Sequence, residues 1–358
     1  MRSAAKILSA ALSLLLLLFM AGCGRTERPA EPEQREITDM AGREMTVPAE
    51  IRSVFPTDPT AAIYLYTIGP DKLLGWNYQL NDVEKSIIPE KYHALPNLGM
   101  GESVNYEAVI AAGPEIALQV SGGSGGDVDQ ADQLSERLGI PVVVVSDQLA
   151  DTPAVYRFLG GLLGAEEQAE SLAAYAEDTL QDAAEMEIPE EKRVRLYYGN
   201  KEDSLETVPA GSLHGQVLEL AGAVNVAEVE LDSGSRVRVS LEQLLAWDPD
   251  VIVVNGEPKA SLSGSAAAEG ILEDPDFSAL TAVQNGAVYG TPNAPFSWIE
   301  RPPGPNRIIG VRWLAGLLYP GAVDYDVDDE VREFFRLFYH AQLSDAQLEK
   351  LYRGEISE

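Results

Sequence analysis

Two stretches of the chain repeat one another, and the repeat limits the possible folds more than any other feature. Segment 105–118 reads NYEAVIAAGPEIAL and segment 240–253 reads SLEQLLAWDPDVIV. Each opens on a residue suited to cap a helix, Asn105 or Ser240. Glu107 and Glu242 follow two residues later, in the first turn, where the helix dipole favours a carboxylate. Pro114 and Pro249 stand seven residues after those glutamates and stop each helix. An acid and a hydrophobic strand come next. Each half of the chain therefore holds one matching helix–turn–strand unit, which predicts two similar lobes.

Apolar runs at 51–55, 73–76, 116–120, 142–145, 196–198, 251–254 and 287–289 read as strands, with helical patterns at 61–68, 128–138 and 214–221. Alternation of this kind predicts α/β lobes with largely parallel sheets. Segment 166–186 is rich in Ala, Glu and Leu and lacks Gly and Pro. It predicts a helix roughly 31 Å long, at 1.5 Å per residue, between the halves. Residues 327–353 read as helical again.

The net charge of −31, from 26 Lys and Arg against 57 Asp and Glu, argues against a nucleic-acid binder, which needs a basic surface. One cysteine and three scattered histidines give no clustered metal cage. Neither a resident metal nor a cofactor is expected. No Gly-x-Ser-x-Gly elbow occurs, and His93, His214 and His340 lack an evident nucleophile partner, so no catalytic residue is assigned. The glycine-rich stretch 121–126 lacks the Lys-Ser/Thr ending of a phosphate loop and reads as a flexible loop.

The amino terminus carries Arg2 and Lys6, then the apolar run 10–21, then Ala21-Gly22-Cys23. The run is too short to span a bilayer and fits a secretory signal. Small residues just before a lone cysteine resemble a bacterial lipoprotein signal, which implies lipidation at Cys23. The expected organisation is a signal peptide at 1–22, a polar tether at 23–36, an N-terminal α/β lobe at 37–165, a connecting helix at 166–187 and a C-terminal α/β lobe with terminal helices at 188–358.

Several stretches together resemble the substrate-binding proteins of bacterial ABC importers. They are the lipoprotein signal, Ile51-Arg52-Ser53-Val54, the two glutamate segments, HGQVLELAGAVNV at 214–226 and FRLFYH at 335–340. The subgroup is the class III periplasmic binding proteins, which serve ferric siderophore, haem and cobalamin uptake. The resemblance implies two Rossmann-like lobes joined by one long helix, with only modest closure on ligand. It implies a monomeric, non-enzymatic lipoprotein, anchored outside the cytoplasm, that captures a ferric siderophore-type complex between the lobes. It also implies delivery to an ABC permease with its ATPase, with Glu107 and Glu242 docking onto that permease. The same role for cobalamin, haem or an oxyanion such as molybdate is the alternative. An adhesion or sensor lipoprotein is a reading from another class.

A ligand between the lobes would lie near the carboxyl ends of strands. Those positions offer Thr57, Asp58, Trp76, Asn77 and Tyr78 in the first half, and Asn200, Asn255 and loop 291–301 in the second. Trp298 beside Arg301 suits a flat or anionic ligand. Equally, Trp298 could serve the lobe's own core and Arg301 could pair with Glu300. Arg307, at the start of an apolar helix, reads as structural.

Overall fold

The structure, a computed structural model, describes residues 33–231, 234–256 and 262–353. The signal sequence and Cys23 lie outside the described residues. By their contacts, the described residues from Arg35 onward form one unit.

The strands are β1 (Gln34–Thr38), β2 (Glu44–Pro48), β3 (Val54–Pro56), β4 (Ile116–Val120), β5 (Val142–Val145), β6 (Arg195–Gly199), β7 (Glu206–Thr207), β8 (Val224–Asn225), β9 (Val237–Arg238), β10 (Val251–Val254) and β11 (Val288–Gly290). The N-terminal lobe holds a sheet of order β3-β4-β5, and the C-terminal lobe a sheet of order β11-β10-β6-β8. Every pairing in these two sheets is parallel. Parallel strands are covered on both faces, which explains their unbroken apolar character, as in the Val142–Val145 run. Two small ribbons, β1–β2 and antiparallel β7–β9, lie outside the sheets.

The repeat folds as one unit used twice. Helix Tyr106–Ala112 is capped by Asn105, whose Oδ1 accepts the Ala108 N–H at 3.0 Å. Helix Leu241–Trp247 is capped by Ser240, whose Oγ accepts the Gln243 N–H at 3.2 Å. Each ends on a left-handed residue, Gly113 (φ 67) or Asp248 (φ 42), ahead of its proline. Glycine takes that conformation freely. Asp248 is held there by the Thr281 N–H and hydroxyl, at 2.7 and 2.8 Å from its carboxylate.

Helix Glu166–Glu185 links the lobes. Its 20 residues span about 30 Å. A single core cluster runs through both lobes and includes Leu118 and Val143 beneath one sheet and Tyr198 and Val253 beneath the other. Rings close the junction: Tyr66–Trp76 at 5.7 Å, Trp76–Phe296 at 6.5 Å, Tyr66–Tyr339 at 5.9 Å and Phe296–Tyr339 at 6.3 Å between centroids. Aromatic pairs add about 0.5–1.5 kcal/mol each beyond area burial, so this contact resists hinge opening. Among the described residues, no helix is long and apolar enough to cross a membrane.

Three sequence readings need correction. Segment 73–76 forms only isolated bridges, because its two ends pair with different stretches of chain, Leu73 with Val54 and Trp76 with Asn97. The stretch 327–353 is two helices, Val327–Phe338 and Asp345–Arg353, separated where His340 turns left-handed (φ 54). Of stretch 121–126, the last two residues open a helix and residues 121–124 form the loop ahead of it. Ser124 caps helix Gly125–Leu138 through a reciprocal bond pair with Asp127.

Candidate functional site

The site is built where loop 291–301 leaves β11 and crosses toward the N-terminal lobe. Helix Asn306–Leu318 follows it and presses on the loop so closely that a Cβ on Gly310 would lie 1.8 Å from Trp298 O. Trp298 is therefore sealed beneath the loop, with no exposure. Its Nε1 donates to Ala294 O at 3.1 Å, and its ring meets Trp313 and Phe335. Trp298 packs in the lobe's own core, and Trp76 is buried in the interlobe aromatic cluster.

Arg301 points the other way. It is exposed, and its Nη1 donates to Ser235 Oγ at 3.2 Å. Among the described residues it makes no ion pair. Its sequence neighbour Glu300 is fully buried and pairs instead with Arg236, whose Nε donates to Oε1 and Oε2 at 3.0 and 2.8 Å and whose Nη2 donates to Oε2 at 2.5 Å. Burial holds the Glu300 carboxyl above its ordinary range, against the pull of Arg236. His214 Nδ1 stands 3.5 Å from Glu300 Oε1. Burial, then the charges of Arg301 and Arg307, push the imidazole down to about 4, so it is neutral at pH 7. Three guanidiniums gather here in a strongly acidic chain, with the carboxylates of Glu300, Glu206 and Asp147 acting on them.

Arg307 bridges the lobes. Nη1 donates to Leu213 O and Gln216 Oε1, both at 3.1 Å, and Nη2 donates to Asp147 O just past β5, at 2.7 Å. Burial lowers it to about 10, which keeps it charged at pH 7. Gln216 completes the clasp. Its Oε1 accepts the Leu149 N–H at 3.1 Å, and its Nε2 donates to Gln148 Oε1 at 2.8 Å.

The remaining candidates divide by lobe. Thr57 donates to Asp58 Oδ2 at 3.1 Å, while that carboxylate caps helix Pro59–Ile68 and accepts the Val120 N–H. Asn77 ties Pro56 O to Gly99 O. Tyr78 donates to Glu84 Oε1 at 2.6 Å, and burial raises Glu84 to about 7. Asn200 and Asn255 directly follow β6 and β10, side by side, and are buried. The two glutamates of the repeat, Glu107 and Glu242, are exposed on their short helices. Two surface cavities, of about 480 and 250 Å³, lie elsewhere. One is beside β11 and Tyr352, the other against the connecting helix at Thr179 and Met186.

Sequence reasoning missed Arg236 and the interlobe bonds of Arg307. The only local signal for Arg236 was a pair of arginines, Arg236 and Arg238, within an acidic chain.

The family model for periplasmic binding proteins matches residues 73–295, more than half of the chain. The chain belongs to the periplasmic binding protein family. A solute-binding protein of an ABC transporter from Sulfurospirillum deleyianum is 28% identical, with a TM-score of 0.79 over 89% of this chain and 99% of its own. MolA of Haemophilus influenzae, solved with molybdate, is 25% identical, with a TM-score of 0.67 over 87% of this chain and 99% of its own. FeuA of Bacillus subtilis, solved with ferri-bacillibactin, is 16% identical, with a TM-score of 0.57 over 80% of this chain and 98% of its own, and shares the fold. No curated protein sequence matches the chain. Periplasmic binding proteins of this kind bind small solutes outside the cytoplasm and serve ABC permeases.

Proposed function

We propose that the chain is the solute-binding lipoprotein of an ABC importer and that it receives an anionic solute between its lobes, at the mouth marked by Arg301. The observation that carries this is Arg301 itself: exposed, without an acidic partner among the described residues, and backed by Arg236 and Arg307. A cation so placed in a chain of net charge −31 steers anions and little else.

The burial of Trp76 and Trp298 removes the aromatic platform that a broad, flat chelate needs. The direct bonds of Gln216 to Gln148 and Leu149 also hold the lobes close. Both favour a compact anion, and the likeness to a molybdate-bound protein supports that class. A ferric siderophore-type complex is the second reading, supported by the apolar surface of Met100, 44% exposed on the N-terminal lobe.

Thermal-shift screening against molybdate, citrate, a ferric siderophore, haem and cobalamin tests the class. Stabilisation by a compact anion alone is expected. A shift confined to haem or cobalamin would overturn the reading. Glu107 and Glu242 dock the permease in this account. Cys23 carries the lipid anchor, on the strength of its place after a small-residue signal end. Cys23→Ser should release the chain from membranes into the soluble fraction. Retention would argue against the anchor.

A further inference from the structure

We infer that the carboxyl edge of the C-terminal sheet forms the floor of this site and selects an anion that also carries a hydroxyl group. The inference rests on the proposal that solute enters at Arg301. Parallel register sets the floor. Val254 pairs with Gly199 on one side and Gly290 on the other, so the next residues, Asn200, Asn255 and Thr291, stand in a row. The period of two in strands turns them to the same face as Tyr198 and Val253. The β7–β9 ribbon folds over this edge through the reciprocal backbone bonds of Asn200 and Glu206, which brings Thr207 in. Asn293 joins by donating from Nδ2 to Asn255 O at 3.2 Å. Loop 291–301 runs from Thr291 in this row to Arg301, which connects floor and mouth.

The buried side-chain atoms here without a hydrogen-bond partner among the described residues include both amide atoms of Asn200, Thr207 Oγ1, Asn255 Oδ1 and Asn293 Oδ1. Asn200 and Thr207 have no exposure, and Asn255 has 7%. Each such group costs about 1–3 kcal/mol, and native interiors seldom tolerate several together. Their concentration at one strand edge, behind a cluster of cations, is the mark of a polar guest.

The guest's chemistry follows from Asn200. Neither half of its amide is paired, so whichever way the group is turned, its partner must both donate and accept. A fully deprotonated oxyanion only accepts. It would leave Asn200 Oδ1 unmet, an acceptor that the single proton of a solute hydroxyl can supply. A hydroxyl does both. An anionic group held by Arg301 and a hydroxyl on the floor together describe a solute of the hydroxycarboxylate type.

Titration calorimetry on the mature protein with two matched pairs tests this. Citrate and tricarballylate differ by one hydroxyl, as do malate and succinate. The hydroxylated member of at least one pair is expected to bind ten-fold tighter or more, since sites built to bond a hydroxyl reject analogues lacking it. Asn200→Ala and Thr207→Val should each erode that preference. Both should melt no lower than the parent chain without solute, because they delete unpaired groups. Equal responses within both pairs, absence of response included, would overturn the floor. Arg301→Glu separates the two readings. If it weakens binding while the wild-type pairs behave alike, the mouth stands and the floor fails. If the hydroxyl preference survives with undiminished affinity in Arg301→Glu, the floor stands and the mouth fails.

Discussion

Reversing Glu107 and Glu242 together to lysine should cut solute uptake at least a hundred-fold and leave solute affinity unchanged. Both carboxylates are exposed, and each is fixed two residues past the cap of a short rigid helix. The Glu242 backbone N–H and the Ser240 hydroxyl hold its carboxyl below the usual range, so it stays charged in mild acid. One such group in each lobe gives a two-point charge pattern for a basic partner. Turning attraction into like-charge contact costs several kcal/mol, and roughly 3 kcal/mol already amounts to a hundred-fold. Uptake of a labelled solute by cells carrying the matching permease measures the effect, with each single reversal falling between. Transport at the parental rate by the double variant would remove these residues from docking.

Arg236→Ala should be the most destabilising single change at the site. It leaves the Glu300 carboxylate buried without its bidentate partner. Breaking a buried pair in this way costs roughly 3–5 kcal/mol. With about 2.1 cal/mol/K of unfolding entropy per residue, that lowers Tm by about 5–7 °C for a unit of this length. The sign with pH is fixed. Glu300 has a raised folded-state pKa, so the folded chain holds its proton more tightly than the unfolded chain does. Its contribution is fully favourable below the unfolded value of about 4.3, and stability is lost as pH rises through the folded value. Removing Arg236 raises that folded value further. The Tm deficit should therefore be larger at pH 7.5 than at pH 5, and Arg236→Ala/Glu300→Gln should recover most of it. A deficit equal at both pH values would place the loss in packing rather than in the stranded charge.

The lobes and their connection were legible because local chemistry encodes them. Asn105 and Ser240 cap, the glutamates sit in first turns, and prolines end both helices. The connecting helix was legible from its unbroken run of helix formers. Trp298 was not, because its fate depends on Gly310 admitting the loop twelve residues upstream against the helix. The Glu300 partner was hidden for a related reason. Glu300 turns inward to Arg236, 64 positions away, while Arg301 beside it turns outward, and nothing local in the sequence tells the two apart. Asn200 and Asn255 could be placed at strand ends from the apolar runs alone. Loop 291–301, with Thr291 and Asn293, was legible in the same way, whereas Thr207 joins only through a two-residue ribbon, which no local pattern shows.

The central claim is that an anion is received at Arg301. Equilibrium titration of the wild type and Arg301→Glu with molybdate, citrate and cobalamin, at low and high salt, tests it most directly. The account predicts that an anion binds the wild type, that added salt weakens it, and that charge reversal weakens it at least ten-fold, with cobalamin indifferent to the change. Anion affinity equal in the two proteins, or binding of cobalamin alone, would contradict it.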